Sequence, residues 1–228
     1  MGFGKLSEQE QGVFLEVSQK RIDELGEINA GAAASIAASV AESDADNPEF
    51  DEAAAKEAIS KHLKDHPDEL YPYIVRGARL CCRLGSHIRK LNLPTSHGIY
   101  TGKGRHPLIH AGDAVPGKNI MYFGHCSGTI NASGAAEEVD LEMVTYDENY
   151  KAKPTGSVKR GYKCKPKIIG GCWTMTHRDT QIVNNGQPTL LQATSDSVTG
   201  ASFLVCAFGG LIEPLTSRQE NTDTDPIG

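Results

Sequence analysis

Two related cysteine turns stand far apart in this chain of 228 residues and constrain its fold more than any other feature. The first surrounds Cys82 within residues 77–85, and the second surrounds Cys206 within residues 204–212. Each has strand-forming residues, a cysteine, a glycine turn and then strand-forming residues again. The shared pattern predicts a small β domain in which two thiols reach the same point from opposite ends of the domain.

Two further cysteines between these turns also lie beside turn residues. Cys126 directly follows Gly124-His125, and Cys164 comes two residues before Pro166. A lone cysteine is most often a small buried side chain with no further role. Four cysteines on glycine or proline turns, where the backbone direction is fixed, instead favour one shared site. The candidate members are Cys82, Cys126, Cys164 and Cys206.

Four thiolates are the ligand set of a structural zinc ion. A closed site of four cysteines leaves no coordination position for water, so the pattern predicts a structural metal centre and not a catalytic one. Two alternatives remain open for the ligand set, because Cys172 rivals Cys164 and His125 lies next to Cys126. Cys81 is adjacent to Cys82 and should face the other side of its strand.

The order of these motifs resembles that of the PAAR-like proteins, over residues of about 73 to 214. The chain departs from the family pattern by its two additional cysteines, by a long polar insertion between the second and third motifs, and by a stretched segment before the last motif. The motifs are Gly77-Ala78-x-Leu80-x-Cys82-x-x-Gly85, Asn119-Ile120-x-x-Phe123-Gly124-x-Cys126, Cys164-x-Pro166 followed by Trp173, and Leu204-x-Cys206-x-x-Gly209-Gly210-x-Ile212.

This resemblance implies a function as well as a fold. PAAR-like proteins are small β-rich cones that hold a metal near the tip and cap the trimeric VgrG-type spike of type VI secretion systems and related contractile injection machines. The resemblance therefore implies a non-enzymatic spike-tip protein, one copy per spike trimer, that sharpens the spike for membrane puncture. It further implies assembly in the bacterial cytoplasm and delivery outside the cell or into a target cell.

The residues before the β domain have helical patterns. Ser7 and Glu10 have the spacing of a capping box, and apolar residues recur behind them at helical intervals, which predicts a helix from about Glu8 to Ala41. Asn47-Pro48 predicts the start of a second helix that ends near His66-Pro67. We therefore expect an α+β protein with a helical hairpin extension (1–69), a PAAR-like β domain (70–215) and a disordered tail (216–228).

Small residues dominate the last part of the first predicted helix, from Ala30 to Ala41. A narrow, smooth helix face lets another helix approach closely, whereas the plain alternative is a solvent-exposed alanine helix. Extensions in PAAR-like proteins recruit cargo effectors or adaptors, so this face is the candidate effector-binding surface. Its residues are Ala32, Ser35, Ile36, Ser39 and Val40.

Charge and composition exclude several classes of protein. Residues 1–68 carry 6 Lys and Arg against 15 Asp and Glu, which argues against nucleic acid as a partner. No apolar run approaches the length of a membrane-spanning helix, and the first ten residues lack a signal-peptide pattern. Six cysteines in such a chain favour thiols or metal over disulfides. Because hydrophobic residues make up only 39% of the chain, we expect a small core whose stability depends on the metal.

Two other functions remain as alternatives. The chain could be a stand-alone, zinc-stabilised binding module of the cytosol, or an enzyme that uses Cys81-Cys82 or a histidine cluster. The candidate cluster is His87, His97, His106 and His110 with Asp113. No His-Glu-x-x-His motif or nucleophile elbow supports catalysis.

Overall fold

A computed structural model of the chain describes residues 6–43, 53–54, 57–58, 61, 71–101, 106–128, 137–177, 181–184, 187–190 and 196–219. It has one long N-terminal helix followed by antiparallel strands, so the predicted α+β class is confirmed. No helix in these ranges is both long enough and apolar enough to span a membrane. The elements are α1 (Glu8–Ser43), β1 (Arg79–Cys82), β2 (Arg89–Lys90), β3 (Tyr100–Thr101), β4 (His106–Pro107), β5 (Glu138–Tyr146), β6 (Ala152–Tyr162), β7 (Gln181–Asn184), β8 (Gln187–Leu190), β9 (Leu204–Val205) and β10 (Leu211–Pro214).

Helix α1 begins at the predicted capping box. The backbone N–H of Glu10 donates to the Ser7 hydroxyl at 3.2 Å, and the Glu10 carboxylate accepts from the Ser7 N–H at 3.0 Å. These two bonds satisfy amides that would otherwise lack partners at a helix start. The second predicted helix lies mostly outside the described residues.

The first half of α1 packs against the β domain. Its side chains Val13, Phe14 and Val17 contact a cluster of buried residues formed by Ile169, Phe203, Val205 and Leu211. Arg83 adds ion pairs to Glu24 on the helix at 2.6 Å and to Glu213 on β10 at 2.9 Å. The helix therefore packs against its own β domain through apolar contacts and through the Arg83 guanidinium, which pairs with both Glu24 and Glu213.

A four-stranded antiparallel sheet joins the two ends of the β domain, in the order β2-β1-β10-β9. In it Cys82 is paired with Ile212, and Ile212 with Leu204. The two cysteine turns thus meet on neighbouring strands, although more than a hundred residues separate them. Strand β5 pairs with β6 in a long hairpin with an irregular register between Glu142 and Val144.

The residue composition also predicts strands at Leu91–Pro94 and Gly171–Met175, and neither segment forms one in the described structure. Leu91–Pro94 follows β2 as irregular backbone, with Leu91 and Leu93 buried in the core. Gly171–Met175 was expected to form a strand, but a 3-10 turn covers Ile169–Gly171. Gly170 and Gly171 have φ angles of 76° and 66°, a left-handed conformation that a strand cannot contain. The stretch 139–144, for which the sequence leaves a strand and a short helix open, lies within β5.

The buried core is formed by apolar residues that are dispersed along the chain. Phe123 and Trp173 are fully buried in the main cluster with aliphatic side chains from many segments of the domain, and Phe203 is fully buried in a second cluster that packs against α1. Each such side chain contributes roughly 1.5–3 kcal/mol of favourable transfer free energy. Residues from short strands and loops that lie far apart in sequence thus meet in two buried clusters.

The predicted tail begins at Thr216, and its first four residues are described. The Thr216 hydroxyl accepts from the Arg79 N–H at 3.0 Å, and Ser217 is buried. Residues 220–228 lie outside the described ranges.

Candidate metal centre

The four turn cysteines belong to chain segments that are hydrogen-bonded to one another in a closed ring. The Ser127 N–H donates to Leu84 O at 2.9 Å, which joins the Cys82 turn to the Cys126 segment. The Cys126 N–H donates to Tyr162 O at 2.8 Å, and the Cys164 N–H to Gly124 O at 2.7 Å. These backbone bonds hold the second and third segments together.

Two further bonds complete the ring. The Ala207 N–H donates to Lys167 O at 2.8 Å, which joins the third segment to the Cys206 turn. The Arg83 N–H donates to Leu211 O at 3.0 Å, which joins the Cys206 turn back to the first segment. All four cysteine backbones are therefore held by main-chain bonds that do not depend on the thiols.

At the centre of this ring the four thiols line one pocket. Its cavity volume is about 10 Å³, the space of a single water-sized body. All four cysteines are buried, with at most 9% of the residue surface exposed. The pocket is lined by Cys82, Cys126, Cys164 and Cys206 together with Leu84, Phe123, Lys165, Pro166, Phe208, Gly210 and Ile212.

Backbone amides donate to the sulfurs from the turns themselves. The Gly128 N–H donates to Cys126 Sγ at 3.4 Å, and the amides of Leu84 and Phe208 interact in the same way with Cys82 and Cys206. In these three turns the donor lies two residues after the cysteine. Amides directed at sulfur stabilise a thiolate, as they do around metal ligands.

Cys164 cannot follow this pattern, because Pro166 stands two residues after it and has no N–H. The backbone amide of Phe123, from the neighbouring segment, interacts with the Cys164 sulfur instead. In the three turns without proline, a backbone amide of the same turn faces the cysteine sulfur. In the turn with proline, the amide comes from the neighbouring segment of the ring.

Gly210 provides space for the Cys82 sulfur. A Cβ atom at position 210 would lie 2.8 Å from Cys82 Sγ and 3.5 Å from Cys206 Cβ. Real Cβ atoms avoid the first of these distances, so any other residue at position 210 would displace the Cys82 sulfur or the turn.

Burial disfavours the thiolate forms of Cys82, Cys164 and Cys206 in the absence of a cation. It raises the pKa of Cys82 to about 12 and that of Cys164 to about 11, and it also raises the pKa of Cys206. Neighbouring sulfurs raise these pKa values further, since one thiolate disfavours another. A divalent cation would reverse this effect by binding the thiolates and releasing their protons.

The donor set and the size of the pocket therefore fit one zinc ion, which four thiolates bind at about 2.3 Å. The four sulfurs are nevertheless not preset at tetrahedral spacing. Across the described ranges, the group of metal-ligating side chains whose donor atoms all lie within 4.8 Å of one another is a different one, His97, His110 and Asp113.

The alternative ligands lie outside the pocket. Cys172 and Cys81 are only partly buried, and the Cys81 thiol faces Glu213 at 4.0 Å. His125 Nε2 lies 3.0 Å from Val139 O, on β5. Neither Cys172 nor His125 is among the residues that line the cavity.

The structure separates the predicted histidine cluster. His87 lies 2.7 Å from the Ser86 hydroxyl and 3.2 Å from Glu142 O, beside β5, and His106 belongs to β4. Only His97, His110 and Asp113 come together. The sequence named all three, but nothing in their spacing distinguished them from the other two histidines.

The candidate effector-binding residues lie in the last part of α1, beyond its packed first half. Ala32 is partly buried and Ser35 is exposed, with its hydroxyl donating to Gly31 O at 3.2 Å. The side chains of Ile36, Ser39 and Val40 lie outside the described part of the structure.

A comparison with protein families matches residues 74–219 to a family model described as a domain of unknown function, DUF4280. The match contains all four segments of the ring. No curated protein and no solved structure matches the chain.

Proposed function

The chain belongs to the DUF4280 family, and we propose that it is the tip of a spike in a type VI secretion or related contractile injection system. In this proposal the β domain is a PAAR-like cone with one structural zinc bound by Cys82, Cys126, Cys164 and Cys206. It caps a trimeric VgrG-type spike protein, sharpens it, and carries an effector or adaptor on α1.

The observation that carries the proposal is the convergence of four cysteine turns on one pocket of single-ion size. The turns come from the two ends and the middle of the family region, in the order in which the PAAR-like motifs occur. A wedge that punctures a membrane must resist deformation. Four short segments bonded in a ring around one metal ion would meet that requirement without a large sheet.

The proposed zinc has a structural role. Four protein ligands would fill its coordination shell, so the chemistry it supplies is the cross-linking of the four turns and the neutralisation of their thiolates. Phe123, Phe208 and Ile212 line the pocket and would shield the ion from water. Backbone amides around the pocket point at the sulfurs. This arrangement supports a structural, non-catalytic role for the zinc and a rigid β domain around it.

The metal content of the purified chain tests the first half of the proposal. The cysteine site should contribute one zinc per chain. Serine at any of the four pocket cysteines should abolish its retention, whereas Cys81→Ser and Cys172→Ser are matched controls that should retain it. Zinc that depends on Cys172 and not on Cys164 would contradict the assigned ligand set.

Binding to the spike tests the second half. The chain is mixed with the trimeric VgrG-type protein encoded in the same genome, and the complex is weighed by native mass spectrometry. One copy per trimer supports the spike tip. Zinc retention without any binding to the spike would favour the stand-alone binding module, and turnover that needs an open metal position would favour an enzyme.

A further inference from the structure

A second group of ligand-type side chains lies apart from the cysteine pocket. It is formed by His97, His110 and Asp113, whose donor atoms all lie within 4.8 Å of one another. His97 Nε2 is 2.9 Å from Asp113 Oδ2 and 3.1 Å from Oδ1. None of the three lines the cysteine pocket.

The backbone around this group is held in place from several directions. The His110 N–H donates to Asp113 Oδ2 at 2.9 Å, and the Asp113 N–H donates to His110 O at 2.9 Å. The indole N–H of Trp173, which is fully buried, donates to Asp113 O at 3.1 Å. The turn that carries two of the three ligands is therefore fixed to the core before any ligand binds.

The imidazole of His110 supplies an independent observation that points to a ligand at this site. The residue is only 8% exposed, and its Nε2 atom is buried without a hydrogen-bond partner in the described ranges. A buried polar atom left in this way costs free energy that a ligand would recover.

We propose that His97, His110 and Asp113 form a second divalent-metal site, for zinc or an ion of similar preference, that is open to solvent on one side. Two imidazoles and one carboxylate are a ligand set that zinc accepts with a fourth position left for water. The hydroxyl of Ser197, which is paired with His110 across a β-bridge, is also buried without a partner in the described ranges.

The two imidazoles now stack, with ring centroids 4.1 Å apart and planes inclined by 14°. Nitrogen lone pairs lie in the ring planes, so two parallel stacked rings cannot both point at one ion. The His97 side chain is 36% exposed and lies outside helices and strands, so it is the ring that turns when the ion binds. His110 and Asp113 stay where the turn holds them.

Zinc stoichiometry tests this inference, which does not rest on the proposed spike function. The full chain is dialysed against Zn²⁺ and its metal is counted by mass spectrometry. The native chain should hold two ions, whereas His97→Ala and Asp113→Asn should each hold one. His97→Ala is the decisive variant, because its side chain is partly exposed and its loss leaves the core intact. Circular dichroism confirms that each variant is folded.

The control is His106→Ala, which removes an imidazole from nearby β4 and should leave two ions bound. Cys82→Ser should lose a different ion from the one lost by His97→Ala, so the failure of either site can be recognised separately. If His97→Ala and Asp113→Asn bind as much zinc as the native chain, the proposed second site does not exist.

Discussion

Substituting Gly210 by alanine should weaken the proposed cysteine site without removing any of its ligands. The added Cβ would lie 2.8 Å from Cys82 Sγ, whereas non-bonded atoms prefer about 3.5 Å or more. The sulfur or the turn must therefore move by about 0.7 Å. Ligand distances in a metal site tolerate only about 0.2 Å of change.

The displacement is thus about three times the tolerance of the site. In the metal-free chain the same crowding should cost about 1–3 kcal/mol, the usual cost of overpacking. In the presence of zinc the loss should be larger, because the substitution also weakens metal binding. The free energy of unfolding is measured by chemical denaturation of Gly210→Ala and the native chain, each with zinc and with a chelator.

The control is Gly12→Ala on helix α1. A Cβ atom there would meet nothing within 4 Å, so the substitution should leave zinc binding unchanged and raise helix stability by up to about 1 kcal/mol. Equal losses of stability for Gly210→Ala with zinc and with chelator, at unchanged zinc affinity, would refute the argument that the glycine exists to accommodate the Cys82 sulfur.

Two further predictions concern the docking of α1. Phe14→Ala should lower the free energy of unfolding by about 2 kcal/mol, because it removes a partly buried ring. The control Leu15→Ala removes a side chain that is 68% exposed and should change that free energy by less than ~0.5 kcal/mol. Denaturant unfolding compares the two variants, and equal effects would contradict the observed packing. The Arg83 guanidinium lowers the pKa of Glu24 from 4.5 to about 2, so this pair stabilises docking above pH 4.5 and its contribution is lost as the pH falls through about 2. Hydrogen exchange of α1 amides should show a larger loss in the native chain than in Glu24→Gln. Part of the loss remains in the variant, because Lys167 pairs with Glu10 on α1 and lowers the pKa of that carboxyl to about 2 as well. The same acid response in both would exclude the Glu24 pair as a cause.

Helix α1 could be predicted because its signals are local. A capping box and an apolar period lie within a few residues of each other, and the helix that they specify begins at Glu8 in the structure. What it packs against could not be read from the sequence. That depends on Phe203 and Leu211, which lie far along the chain and form the receiving surface only after the sheet has formed.

The strands were predicted less well, because the short segments of this domain take their conformation from their neighbours. Leu91–Pro94 has the composition of a strand, yet its leucines fill the core from irregular backbone. The glycines at positions 170 and 171 allow a tight turn that overrides the strand preference of the residues after them. Apolar content likewise could not locate the core, since it counts residues without showing which of them meet.

The sequence by itself determined which side chains could form a metal centre. Four cysteines on glycine or proline turns identified one set of ligand candidates, because turn chemistry is local and restricts the backbone at each cysteine. Histidines near residue 100 formed a second set. Sequence could not choose between Cys164 and Cys172 or among the histidines, because spacing along the chain does not fix distance in space.

Only the tertiary structure made those choices. Hydrogen bonds between segments far apart in sequence close the ring that brings Cys164 into the pocket and leaves Cys172 outside it. The turn held by Trp173 places His110 and Asp113 beside His97, and separates them from His87 and His106. The physical reason is that long-range pairing, and not local propensity, decides which turns of a domain with short strands share one centre.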